Sequence, residues 1–304
     1  MSIDPFLTLG GLFAGMVVGL TGLGGAAIVT PMLLLIFNVP PPIAVSTDVV
    51  SAAVMKPVGA GVHIKRHTPH YSVVLWLCMG SVPGVLLGTW LFSVLVEGEG
   101  GDHTLRKMIG VVLLVAVVVT LLRLRLRRYA EAHGQEPLRF SRGKLAVTAA
   151  VGFLVGTLVG LTSVGSGTLI AAGLMIVFPA MLPSRLVGTD LVQAVPMLAV
   201  GALAHAGLGE IDTTVLFSLL LGQIPGVFVG ARISSRYNGQ ELRWLLLVLV
   251  GSAGLALLGV PSWIATTITI GGVLLLGVPI IVRHRRATKA TDRTEVPARD
   301  SGVP

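Results

Sequence analysis

GLTSVGSG (residues 160–167) lies in the middle of an uncharged run spanning residues 145–184, and its twin GLTGLGG (residues 19–25) lies inside another, residues 5–47. Each run is about 40 residues long, whereas one helical crossing of a bilayer takes about 20. As a single helix either run would reach about 60 Å against a hydrocarbon core of about 30 Å, so each must fold back. The glycine clusters are where it can do so. Irregular backbone at membrane depth is tolerated only when buried in protein or lining a polar cavity, and transporters place their binding sites at such breaks.

Composition agrees with a membrane location. The chain has 304 residues, 53% hydrophobic and only 12% charged, about half the charged share of a soluble domain. Residues 123–144 and 283–304 together hold the whole net charge of +8. Basic residues confined to one loop and one tail of a membrane protein set orientation, so the high pI does not imply nucleic acid as a partner. A lone cysteine, Cys78, allows no disulfide, zinc cluster or thiol pair within one chain. The N-terminal MSIDPFLTL lacks the positive region of a secretory signal and reads as retained.

A third long uncharged run, residues 244–282, must also fold back, and with the shorter apolar segments 49–64, 71–96, 108–122, 191–209 and 213–231 the expected count is eleven helical segments. With the basic loop and the RHRR of residues 283–286 in the cytoplasm, Lys65, Arg66, Arg232 and Arg236 fall inside, and the acidic stretches 97–102 and 210–212 fall outside. This expectation puts the N-terminus outside and the C-terminus in the cytoplasm of a bacterial inner membrane. Charge parity does not separate a re-entrant hairpin from two full crossings.

The chain is also an internal duplication. GLTGLGG aligns with GLTSVGSG at an offset of 141, and beyond it, at 142, Pro41 meets Pro183, Thr47-Asp48 meets Thr189-Asp190, His63 meets His205, and Gly80, Pro83, Gly84 and Gly88 meet Gly222, Pro225, Gly226 and Gly230. Each repeat holds five segments, an odd number, so the second is expected to be inverted. The expected architecture is an all-α polytopic membrane protein of two inverted-topology repeats with glycine-broken helices: repeat one at 1–122, a basic cytoplasmic linker at 123–144, repeat two at 145–258, an additional helix at 259–282 and a disordered cytoplasmic tail at 283–304.

GLTGLGGAAIVTP and GLTSVGSGTL, each followed by a small-residue helix, a histidine, a polar turn and a GxxPGxxxG helix, resemble the sulfite exporter TauE/SafE family over residues 8–260. The resemblance implies inner-membrane transport of small sulfur-containing anions such as sulfite, sulfoacetate and other sulfonates. Thr47-Asp48 and Thr189-Asp190 fall where the family pattern carries threonine followed by serine.

A broken helix leaves N–H groups without partners and aims a positive half-helix end at the break, which suits an anion. Thr21, Gly22, Gly24 and Gly25, with Thr162, Ser163, Gly165, Ser166 and Gly167, are therefore candidate substrate-lining residues; the alternative is close helix packing through small residues. Lys56, the one lysine within an apolar span, is a candidate counter-charge or a partner for Asp48. Gln193, one turn from Asp190, could donate to an oxyanion. Thr47, Asp48, Thr189 and Asp190 follow proline-marked turns and suit capping of a helix's first turn, or else a proton or sodium site. His63 and His205 suit interfacial hydrogen bonds, with a proton relay as the alternative.

The sequence thus points to a secondary transporter moving a small sulfur-containing anion by alternating access. A proton- or sodium-coupled cation or metal transporter using the Asp and His residues is the alternative. No nucleophile–base set or metal-ligand spacing such as HExxH suggests an enzyme. No cofactor or resident metal is expected. The partners are the anion, the lipid bilayer and a coupling proton or sodium ion, and the sequence fits monomer and homodimer equally.

Overall fold

Three consecutive prolines, Pro40, Pro41 and Pro42, start the helix that crosses the centre of the molecule: a proline's fixed φ suits the first helical position, where its missing N–H leaves no bond unmade. Pro183 starts the corresponding helix of the second half. A computed structural model of the protein describes residues 3–21, 26–133, 141–179, 181–208, 211–234, 240–261, 263–268 and 270–271. These residues form helices α1 (Pro5–Thr21), α2 (Ala26–Leu35), α3 (Pro41–Lys65), α4 (Tyr71–Glu97), α5 (Gly101–His133), α6 (Arg142–Thr162), α7 (Thr168–Val177), α8 (Pro183–Gly207), α9 (Thr213–Ser234) and α10 (Gln240–Leu257). Residues 263–268 and 270–271 are helical where the eleventh segment is expected. No strand occurs among the described residues.

Two expected boundaries move. The third segment of each half begins at Pro41 and Pro183, not at residues 49 and 191. The prolines that suggest a turn are themselves the first helical residues, so Asp48 and Asp190 lie well inside their helices and cap neither. Helix α5 also continues to His133, into the stretch read as linker. Caps of the expected chemistry appear elsewhere: Asp4 Oδ1 accepts from Phe6 N at the start of α1, Ser141 Oγ from Lys144 N at α6, and Asp212 Oδ1 from Thr214 N at α9.

Among the described residues, six helices are long and apolar enough to cross a membrane: Pro41–Lys65, Tyr71–Glu97, Gly101–Leu122, Arg142–Thr162, Ser184–Gly207 and Thr213–Gly230. Helices α2 and α7 have ten residues each. At about 1.5 Å per residue, ten residues rise about 15 Å, half of a hydrocarbon core, so α2 and α7 are half-helices that cannot cross alone. Large apolar side chains such as Phe6, Leu75, Trp90, Leu203 and Phe228 are exposed, as a lipid-facing surface requires.

Without water to drive helices together, a membrane bundle relies on close backbone approach. Here α4 lies along α6, and α1 lies along α9. Gly80, Gly84 and Gly88 meet the backbone of Ala149, Phe153 and Thr157, while Gly152, Gly156 and Gly160 meet that of Leu77, Ser81 and Val85. Gly222, Gly226 and Gly230 meet Thr8, Leu12 and Met16 in the same manner. A Cβ at Gly84 or Gly226 would collide with a facing carbonyl oxygen, that of Phe153 or Leu12. In both pairs the residue numbers rise together, so the helices run parallel. Helices α3 and α8 run opposite ways: Gly59 faces Leu191, whereas Gly188 faces His63 and Thr68. So do α5 and α10, where Gly110 meets Gly254 and Gly251 meets Val117. The first helix of each duplicated half thus lies along the fourth of the other, and the third and fifth helices cross their own counterparts antiparallel.

Candidate functional site

Helix α6 ends at Thr162 because Ser163 turns into the left-handed region, φ 62°, and Gly165 follows at φ 110°, a conformation that glycine adopts without strain. Ser163 N closes the helix on Val159 O at 2.7 Å, and Thr162 Oγ1 donates to Leu158 O and accepts from Val164 N. Gly167 leads into α7 with no side-chain cap. The break therefore spans residues 163–167, and Ser163 and Ser166 are buried within it.

Helix α3 of the first half clamps this break at two points. Asp48 Oδ2 accepts from Ser163 Oγ at 3.0 Å and from Thr30 Oγ1 of α2, while the carbonyl of Asp48 accepts from Ser51 Oγ. Two turns along the same helix, Lys56 Nζ donates to Ser166 Oγ at 3.0 Å and to Ser166 O at 3.4 Å. The carboxylates of Asp190 on α8 and Asp48 on α3 both lie within electrostatic reach of the Lys56 ammonium. One buried cluster thus joins Asp48, Lys56, Asp190, Ser163 and Ser166. Gathering two carboxylates and an ammonium away from water is costly unless each is paired or hydrogen-bonded.

Helix α8 props the break from the other side. Gly160 O is one of the last four carbonyls of α6, which the interrupted helix leaves without an i+4 donor. His205 Nε2 donates to it at 2.8 Å, and His205 Nδ1 meets Ser46 Oγ at 3.0 Å. The imidazole packs edge-on to Phe92, with ring centroids 4.7 Å apart. Gln193 Oε1 accepts from Ser81 Oγ of α4 at 3.1 Å, and its buried Nε2 has no partner among the described residues.

The remaining candidates fall outside the cluster. Thr189 Oγ1 accepts from His70 N at 3.0 Å and so ties α8 to the start of α4. His63, the duplicate of His205, is only partly buried and closes the α3–α4 turn through Thr68 Oγ1 at 2.8 Å. Thr47 is buried, and its Oγ1 has no partner among the described residues. Gly22, Gly24, Gly25 and the side chain of Thr21 lie outside the described residues. First-turn capping by Asp48 and Asp190 is not observed, since both sit beyond the second turn of helices that prolines begin.

Two cavities are apolar and separate from the cluster. One of about 340 Å³ is lined by Phe13, Met32, Ile36, Leu249 and Ala256 among others; one of about 30 Å³ lies between α2, α5, α10 and Thr168. Among the described residues, no group of three or more His, Cys, Asp or Glu is placed to hold a metal ion.

Residues 7–257 match the model of the sulfite exporter TauE/SafE family. The chain belongs to the TauE/SafE family. It is 33% identical to a probable membrane transporter protein, YjnA, of Bacillus subtilis, over 85% of this chain and all of that one. It is 25% identical to the probable membrane transporter protein YdhB of the same species, over 80% of this chain and 96% of its relative. A probable membrane transporter protein of Xylella fastidiosa is 29% identical over 76% and 85%. No solved structure matches the chain. Together with the six apolar helices, this makes it a multi-pass membrane protein of a transporter family.

Four hydroxyls that complete this TauE/SafE cluster, those of Thr30, Ser46, Ser51 and Ser81, carry no individual signal in the sequence. Ser46, Asp48 and Ser51 do belong to STDVVS (residues 46–51), a dense polar patch for an apolar span, and that density was the available clue. Thr30 has none, because its duplicate position is Ala172.

Proposed function

We propose that this TauE/SafE member is a secondary carrier of a small sulfur-containing anion, of the sulfite, sulfoacetate or organosulfonate class, across the bacterial cytoplasmic membrane. The observation that carries the reading is the buried Lys56 ammonium held on Ser166 inside the break between α6 and α7. A tetrahedral oxyanion needs a positive charge and several donors in a place shielded from water. Lys56, Ser163, Ser166 and the partnerless Nε2 of Gln193 supply that chemistry. The family's sulfite exporter description supports the sulfur-anion class. The charge pattern supports an orientation with the basic loop and the C-terminus in the cytoplasm.

The break is grasped by α3 from the first half and by α8 from the second, so rocking one half against the other would open it to each side in turn. Uptake of labelled sulfite or sulfoacetate into proteoliposomes tests the reading. Saturable flux of one of these anions is expected; flux of a cation with none of any sulfur anion would overturn it.

A further inference from the structure

Helix α3 already occupies the groups of the break that an incoming anion would use. Asp48 Oδ2 takes the hydroxyl hydrogens of Ser163 and Thr30, and Lys56 is engaged by Ser166 and by the field of Asp190 and Asp48. Ionised, the cluster holds two carboxylates and one ammonium, a net charge of −1 out of contact with water. A further anion added to that charge has no unspent cation to meet.

We propose that Asp48 and Asp190 are the proton carriers of the transport cycle: their carboxylates compete with the substrate anion for Lys56 and Ser163, so the anion moves together with protons and independently of sodium. This rests on the anion-carrier reading above. Protonating Asp48 turns a strong acceptor of two hydroxyls into a weak one and releases Ser163. Protonating Asp190, which lies on α8 within electrostatic reach of Lys56, takes away one of the two negative charges that act on the ammonium. With both neutral the cluster carries +1, one unspent positive charge for a sulfite or sulfonate group.

Sodium is disfavoured by the same geometry. Ser166 O and Oγ, two uncharged oxygens of the break, are held by the tethered Lys56 ammonium and so are not open to a sodium ion. The groups facing Asp48 are Thr30 from α2, Ser163 from the break and Lys56 and Ser51 from α3 itself, while from α8 Asp190 acts on Lys56 and Gln193 bonds Ser81. His205 is committed to Gly160 O and Ser46, not to either carboxylate. Falling pH therefore acts on the two aspartates and strengthens anion binding.

Two measurements on the full-length protein decide it. The first needs no substrate: the infrared band of protonated carboxyl groups is followed as pH is lowered in wild type, Asp48→Asn and Asp190→Asn. A titrating band, diminished in each variant, is expected. A band that does not change while the protein stays folded, or that survives intact in both variants, overturns the proposal. The second uses sulfoacetate and proteoliposomes with the membrane potential clamped. Each coupled proton should multiply the steady-state accumulation ratio about tenfold per unit of pH gradient, with no response to a sodium gradient. In Asp48→Asn, where Asp190 alone still carries a proton, the response should fall from about a hundredfold to about tenfold per unit of pH gradient. Accumulation driven by sodium would sink the proposal. A titrating band without any sulfonate flux would remove the assigned substrate class and leave the proton sites standing.

Discussion

Helices α3 and α8 are duplicates that have taken different work. Both have 25 residues, start on a proline and carry Thr-Asp at the same position. Yet Lys56 on α3 corresponds to Leu198 on α8, Ser51 to Gln193, and partly buried His63 to fully buried His205. The backbone framework recurs in both halves, with antiparallel third helices and reciprocal glycine seams. Side chains at equivalent positions do not. In α3 they reach across to the break of the other half, whereas in α8 His205 supports the break of its own half and Gln193 turns to α4. Equivalent positions on the two helices thus carry different contacts around the α6–α7 break.

The largest effect is expected from exchanging the charge between the duplicates. Lys56→Met leaves two buried carboxylates without their ammonium, which should cost about 3–5 kcal/mol of folding stability, and loss of the cation should separately weaken anion binding roughly 100-fold or more. Adding Leu198→Lys should not rescue it. Leu198 is buried in an apolar cluster that includes Val49, Val85 and Met197, so among the described residues a lysine there enters an apolar setting, unlike Lys56 on Ser166. Isothermal binding and detergent melting of the two variants check this, and restored binding in the double variant would show that the halves are interchangeable after all.

A second contrast concerns what the duplicates share. Gly84→Leu on α4 and Gly226→Leu on α9 each drive a side chain into a facing helix backbone, Phe153 or Leu12. Each should destabilise by about 3 kcal/mol, the upper end of ordinary overpacking, with lower melting temperatures in detergent. Gly61→Ala in α3 should be neutral or slightly stabilising, by up to about 1 kcal/mol, because nothing lies near its missing Cβ and alanine favours a helix. Equal losses at Gly84 and Gly226 would show both seams working alike; a loss at one alone would break the symmetry of the scaffold.

These seams were legible in the sequence because glycines recur at every fourth residue and at matching places in both halves. So were the breaks, because a run twice the length of a crossing has to turn somewhere. The half-helix length of α2 and α7 was not legible, since the proline-rich turns that bound them are themselves the first residues of α3 and α8. Nor was the division of labour. Asp48 meets Ser163 across 115 residues and Ser46 meets His205 across 159, and isolated hydroxyls on apolar helices have the same local signature whether they face lipid or a distant break. The duplication groups His63 with His205, but it does not show that His205 bonds Gly160 O beside the α6–α7 break while His63 bonds Thr68 at a turn.

That pair gives the smallest of the three contrasts. Without His205 the Gly160 carbonyl and the Ser46 hydroxyl would both be buried without their partner, and each orphaned polar group costs about 1–3 kcal/mol. Not all of that cost appears, because a water can enter the space that the ring leaves, so His205→Ala should lower stability by about 2 kcal/mol. His63→Ala loses one bond to Thr68 at a partly exposed turn, where Thr68 Oγ1 still donates to the His63 carbonyl, and less than about 1 kcal/mol is expected. Thermal unfolding of the two variants side by side measures the difference. The sharper readout is substrate affinity: His205 holds the end of α6 that precedes Ser163, so its loss should loosen the break and weaken anion binding, while His63→Ala leaves binding as it was. Matching losses from the two histidines would mean that the first half has a working break of its own, and the asymmetry between α3 and α8 would then describe only this conformation.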